Sequence, residues 1–94
     1  MIGRRAQKTD ANQAQIVEAF RKAGASVEFI GEPVDLVVGY LGINILIEVK
    51  DGKKIPSKQR LTKKQAEFFE QWKGVVYIVR SVDDALQIIK SLQS

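Results

Sequence analysis

No cysteine and no histidine occurs in this sequence. The first absence excludes disulfides and zinc–thiolate centres. The second excludes a His-based nucleophilic triad, an imidazole general base and a His-ligated zinc site. Any catalytic metal must therefore be held by oxygen ligands, the preference of Mg2+ and Mn2+. Long apolar runs are also missing: none approaches the roughly 20 residues a membrane-spanning helix needs. The opening MIGRRAQKTD has no hydrophobic centre, which predicts a cytoplasmic protein with no signal peptide and no membrane partner. Internal repeats and low-complexity tracts are lacking as well.

What is present is the composition of a folded domain. Four Phe, two Tyr and one Trp stand among many Ile, Val and Leu, a mixture that disordered segments avoid. The 94 residues predict one domain over 1–94. A chain of this size buries only about 60 to 65 % of its unfolded surface, so a partner subunit would add usefully to its stability.

Fifteen Lys and Arg against 11 Asp and Glu leave a net charge of +4. Their distribution says more than the sum. Between Lys50 and Lys64 stand seven basic residues, Lys50, Lys53, Lys54, Lys58, Arg60, Lys63 and Lys64, with one acid, Asp51. A smaller basic cluster, Arg4, Arg5 and Lys8, opens the chain. Such clustering fits a polyanionic partner. The competing explanation is a solvated loop that keeps the protein soluble.

Apolar spacing predicts a first helix capped by Thr9 or Asp10, running to about Ala23 and stopped by Gly24. Strands follow at Ser26 to Ile30, Val34 to Tyr40 and Ile43 to Lys50, rich in β-branched residues. Residues 51 to 61 read as a polar, basic loop. Thr62 opens a second helix ending near Lys73 and Gly74. Val75 to Val79 is a fourth strand, and Ser81 caps a last helix whose first turn carries Asp83 and Asp84. The order is α-β-β-β-α-β-α, an α/β fold with a small mixed four-stranded sheet flanked by helices. The crossover from the third strand to the fourth makes those two parallel.

A hairpin loop at Leu41 and Gly42 pairs residues whose numbers sum to 83, which sets Asp35 opposite Glu48. Facing side chains lie about 4.5 to 5.5 Å apart at Cβ, and like charges so placed repel. A divalent cation with oxygen ligands relieves that repulsion. Glu48 and Lys50, two apart on a strand, share a face. Asp35, Glu48 and Lys50 thus form a two-carboxylate clamp beside an ammonium, with the Val49 carbonyl as a further ligand. That set is sufficient in kind for phosphodiester hydrolysis. The alternative is a plain salt bridge at a strand end.

Pro33-Val34-Asp35 followed by Glu48-Val49-Lys50 resembles the PD-(D/E)XK nuclease pattern. The runs Ile47-Glu48-Val49-Lys50-Asp51-Gly52, Leu61-Thr62-Lys63-Lys64-Gln65 and Val79-Arg80-Ser81-Val82-Asp83-Asp84-Ala85-Leu86 resemble a stand-alone VRR-NUC domain of phage or bacterial type. The likeness spans about Asp10 to Ile89. It implies a restriction-endonuclease-like core, Asp35 and Glu48 as metal ligands, Lys50 as the catalytic lysine and Gln65 as a glutamine near the site. It also implies a homodimer that cuts branched DNA in the manner of Holliday-junction resolvases, in the service of DNA repair. Many relatives carry an acid on the first helix; the matching positions here hold Gln13 and Gln15, with Glu18 one turn further on. The proline and aspartate are separated by Val34, a departure from the adjacent pair of the motif.

Other residues have two readings each. Thr62-Lys63-Lys64-Gln65 fits a capping box, which competes with a role for Gln65 at the site. Phe68, Phe69 and Trp72 read as core or dimer surface ahead of base stacking, and Tyr77 as core. Lys53, Lys54, Lys58, Arg60, Lys63 and Lys64 are candidate phosphate contacts. A non-catalytic DNA-binding module, or a nuclease acting on flaps or duplex ends, remains open beside the junction-cutting reading.

Overall fold

The structure, a computed structural model, describes residues 11–94. The expected caps Thr9 and Asp10, and the cluster Arg4, Arg5 and Lys8, lie outside the described residues. Eight elements follow in order: α1 Gln13–Lys22, β1 Ser26–Phe29, β2 Leu36–Tyr40, β3 Ile43–Val49, α2 Pro56–Gln59, α3 Lys63–Gln71, β4 Val76–Val79 and α4 Val82–Gln93. This is a small α/β domain. The order matches the sequence expectation except for α2, a four-residue helix inside the stretch expected to be loop. Pro56 at its first turn explains it, since a proline there is already set for helical φ and loses no hydrogen bond.

The sheet runs β1-β2-β3-β4. The first two pairings are antiparallel, and β3 pairs parallel with β4. Leu41 and Gly42 both take positive φ, 52° and 79°, the conformation of a two-residue turn whose twist suits a hairpin. The β2–β3 register follows from that turn: Tyr40 faces Ile43 and Leu36 faces Ile47, so paired numbers sum to 83.

Period-two alternation sorts the sheet into two faces. Val27, Leu36, Val38, Ile45, Ile47, Val49 and Val79 are buried together with Ile16 and Phe20 of α1 and Ala85, Ile88 and Ile89 of α4. The other face is thinly covered. No residue of α3 is buried, Phe68 and Phe69 are half-buried, and Trp72 is 47 % exposed. The aromatic stripe is therefore not core, whereas Tyr77 does pack against the core from its edge.

Several boundaries differ from expectation. Strand β2 begins at Leu36 rather than Val34, β1 stops before Ile30, and β3 stops before Lys50. The Ile30 and Gly31 amides both donate to the Asp35 carbonyl, turning the chain before the ladder starts. Helix α1 begins beside Asn12, whose side chain makes no cap bond: its Nδ2 donates to distant carbonyls, and its buried Oδ1 accepts no hydrogen bond from the described residues. Its C-terminal stop is Gly24, at φ 99°, as expected. Helix α3 ends at Gln71 with Trp72 already extended, so Gly74 is not its stop. Gly74 serves a different need: a Cβ there would lie 2.8 Å from the Trp72 indole nitrogen. Ser81 caps α4 by accepting from the Asp84 amide at 3.1 Å.

Candidate active site

Asp35, Glu48 and Lys50 sit where β2 and β3 leave the ladder, on the sheet face opposite the main core. The alternation that buries Leu36, Ile47 and Val49 on one side sends Asp35, Glu48 and Lys50 to the other. Asp35 stands one residue beyond the last regular pair, Leu36 and Ile47. Its Oδ2 accepts from the Val49 amide at 2.8 Å, so the carboxylate itself continues the pairing that its backbone has left. Within a strand the N–H and C=O of one residue point to the same side. The Val49 carbonyl is therefore turned the same way, toward the space beyond the end of β2.

Glu48 is the buried member, 4 % exposed. Its Oε2 lies 3.6 Å from Lys50 Nζ, both side chains being largely enclosed at 5 % and 12 %. Gln65 joins them. Its Nε2 donates to Glu48 Oε2 at 2.8 Å, and its Oε1 accepts from Lys50 Nζ at 3.1 Å. The same Oε1 accepts from the Thr62 amide at 2.9 Å, while Thr62 Oγ1 accepts from the Gln65 amide at 3.1 Å. Capping and contact with the site, alternatives at the level of sequence, thus coincide in one side chain. Two donors converge on the amide oxygen, which obliges the NH2 group to face the carboxylate.

Burial, then the neighbouring Asp35 charge, push the Glu48 carboxyl up from an ordinary 4.5 to about 7; Lys50 and a backbone hydrogen bond from Asp35 pull it back only in part. The pair of carboxylates is one positive charge short. A hard divalent cation meets that shortage, and the donors here are all oxygen. Among the described residues no group of three or more Asp or Glu converges. Two carboxylates and a carbonyl still suit Mg2+ or Mn2+, which keep several waters and take one or two carboxylates. The residues fit such an ion.

The first-helix positions fall differently. Gln13 is buried at the start of α1. It adjoins Asn12, whose Nδ2 donates to the Lys50 and Arg80 carbonyls at 3.2 and 2.9 Å. Gln15 is exposed and lines a cleft with Asp51, Lys53, Gln59 and Arg80. Glu18 does not join the carboxylate pair; it is exposed and bridges to Lys22 at 3.5 Å, one turn along the same helix face.

Lys53, Lys54, Arg60, Lys63 and Lys64 are all exposed; the side chain of Lys58 lies outside the described ones. Sequence reasoning missed the fastening of this segment. Gln59 Nε2 donates to the Lys54 carbonyl at 2.6 Å and to that of Gly52 at 3.3 Å, and Gln59 Oε1 accepts from Arg80 Nε at 3.1 Å. The Gly52 amide donates to the Arg80 carbonyl at 3.2 Å. A Cβ at Gly52 would lie 3.0 Å from that oxygen, so a glycine just after Lys50-Asp51 was the one signal available. Asn12 and Arg80 leave no pattern in sequence, because their side-chain partners lie 21 to 68 residues away; Gln59 bonds nearby carbonyls, but in a loop with no repeating pattern. Compared with protein-family models, curated proteins and solved structures, the chain matches none.

Proposed function

We propose that this protein is a divalent-metal-dependent DNA endonuclease with a restriction-endonuclease-like core of the PD-(D/E)XK, VRR-NUC-like kind. It hydrolyses phosphodiester bonds, acts as a homodimer and prefers branched DNA of the Holliday-junction type. The observation that carries the reading is the arrangement of Asp35, Glu48 and Lys50, with Gln65 bonded to the last two. Asp35, Glu48 and the Val49 carbonyl would hold Mg2+ or Mn2+. When bound, such an ion lowers the pKa of a water and offsets phosphate charge. Lys50 keeps its ammonium at a fixed place beside the carboxylates, where it orients a water or meets charge developing on the phosphate. Gln65 holds both groups in register. The exposed Lys53, Lys54, Arg60, Lys63 and Lys64 supply phosphate contacts that give affinity without sequence preference. Two sites related by a two-fold axis suit a symmetric four-way junction.

The test is cleavage of a labelled four-way junction beside flap and plain duplex DNA, with magnesium, manganese or chelator. Wild type should cut only with metal, and Lys50→Ala should lower the rate by at least about a hundredfold. Paired symmetric cuts in the junction support the resolvase-like preference; equal cutting of flaps or ends moves the substrate and keeps the chemistry. A second reading, a non-catalytic DNA-binding module, draws on the direct Lys50–Glu48 ion pair, which gives both groups a structural reason to exist. Junction binding with no cutting under any metal would favour it.

A further inference from the structure

A groove of about 640 Å³ runs beside the carboxylate pair, walled on one side by Gly31, Glu32 and Pro33 and on the other by α3. Thr62 and Gln65 belong to it, and Gln65 also bonds Glu48 and Lys50. Gln65 therefore separates the groove from Lys50 and Glu48 by the width of one side chain. The volume is that of a small-ligand pocket. Its floor includes Phe68. Trp72, which stacks on Phe68 with centroids 5.1 Å apart, does not line the groove. Nothing in the core explains this aromatic pair, since α3 buries no residue.

The charge of the groove selects what it can take. Glu32 and Glu67 line it against a single cation, Lys64, which disfavours a phosphate. A nucleobase is neutral, has a π-face for Phe68, and carries N–H and carbonyl groups for carboxylates and for the amide of Gln71. Base-on-aromatic stacking tolerates any base. The duplex interior cannot deliver one, because its bases are stacked and paired; an unpaired nucleotide can.

We propose that this groove is a nucleobase subsite that takes one unpaired base adjoining the reacting phosphate, with Phe68 as the stacking platform. It rests on the nuclease reading and narrows the substrate to DNA with an unpaired nucleotide beside the cut, such as a gap, a flap base or a junction branch point whose closing base pair has opened.

The test uses duplex DNA with the fluorescent adenine analogue 2-aminopurine unpaired opposite a one-nucleotide gap, and the same duplex fully paired, both titrated with protein in chelator. Wild type and Phe68→Tyr should quench the gapped probe strongly. Phe68→Leu should abolish the quenching and bind gapped DNA about tenfold more weakly, the scale of one lost base–aromatic stack, while binding paired duplex unchanged. Gln71→Ala, on the exposed rim and harmless to folding, should weaken only the gapped complex. Equal quenching by Phe68→Leu and wild type, no quenching by wild type, or equal loss on both DNAs would overturn the subsite. Cleavage of the same DNAs with magnesium separates the two readings. Cutting without quenching rejects the groove and keeps the nuclease; quenching without cutting under any metal does the reverse.

Discussion

Glu48 is enclosed with its charge only partly offset, and this couples stability to pH. A carboxyl raised in the folded state contributes fully below its unfolded value, here 4.5, and loses that contribution as pH climbs through about 7. At roughly 1.4 kcal/mol per pH unit of displacement, the loss is about 3 kcal/mol. Metal-free protein should therefore become less stable between pH 5 and pH 8, read as a falling urea midpoint. Glu48→Gln should flatten that part of the profile. Magnesium should restore the midpoint at pH 8 for wild type and do little for the variant, since a ligand stabilises only the state that binds it. Neither the direction nor the size of this effect was legible in sequence. The hairpin predicted Asp35 opposite Glu48, and the ladder stops one pair short of them; the enclosure of Glu48 depends on Gln65 arriving from a distant helix.

At the scale of elements, α3 and the segment before it control the site. Thr62→Ala removes the hydroxyl half of the capping box and should cost about 1 kcal/mol in thermal or chemical denaturation. It should also lower the cleavage rate several-fold, because the same turn holds the Gln65 amide; Thr62→Ser should restore both. The capping box itself was readable from four residues. Its second use was not, because nothing local to Thr62-Lys63-Lys64-Gln65 reports the presence of Glu48 and Lys50. The loop from Asp51 to Leu61 offers a sharper steric case. Gly52→Ala would set a methyl 3.0 Å from the Arg80 carbonyl and 3.3 Å from its Cβ, both on the residue that follows β4. The expected cost is about 1 to 3 kcal/mol. Weaker DNA binding with a smaller salt slope should accompany it as the basic segment moves away from Arg80.

For the whole molecule, the proposed DNA binding together with the net charge of +4 and the exposed basic segment predicts salt as the main control of affinity. Log affinity for DNA should fall linearly with log salt concentration, and Lys53→Ala should reduce that slope by about one while leaving the choice among DNA structures unchanged. A filter-binding series over salt reads it directly; an unchanged slope would remove Lys53 from the phosphate contacts. The two faces of the sheet divide the work. One is sealed by α1 and α4 and supplies the core. The other carries the carboxylates, Lys50, the groove and an incompletely covered aromatic pair under α3. Among the described residues no helix is long and apolar enough to cross a membrane.

The local signals were enough for the element order apart from α2, the hairpin register, the caps at Thr62 and Ser81 and the glycine stop after α1, because each depends on residues within a few positions of one another. They also brought Asp35, Glu48 and Lys50 to one face, since a two-residue turn and a period of two leave no other choice. Tertiary structure alone decided the rest. It enclosed Glu48, turned Gln65 into a link between cap and site, and left Glu18 on the surface with Lys22. It drew Asn12, Gln59 and Arg80 into the frame behind the basic loop, and opened a groove between residues 31–33 and α3. Those outcomes depend on which distant segments pack together, and a linear pattern carries no record of that.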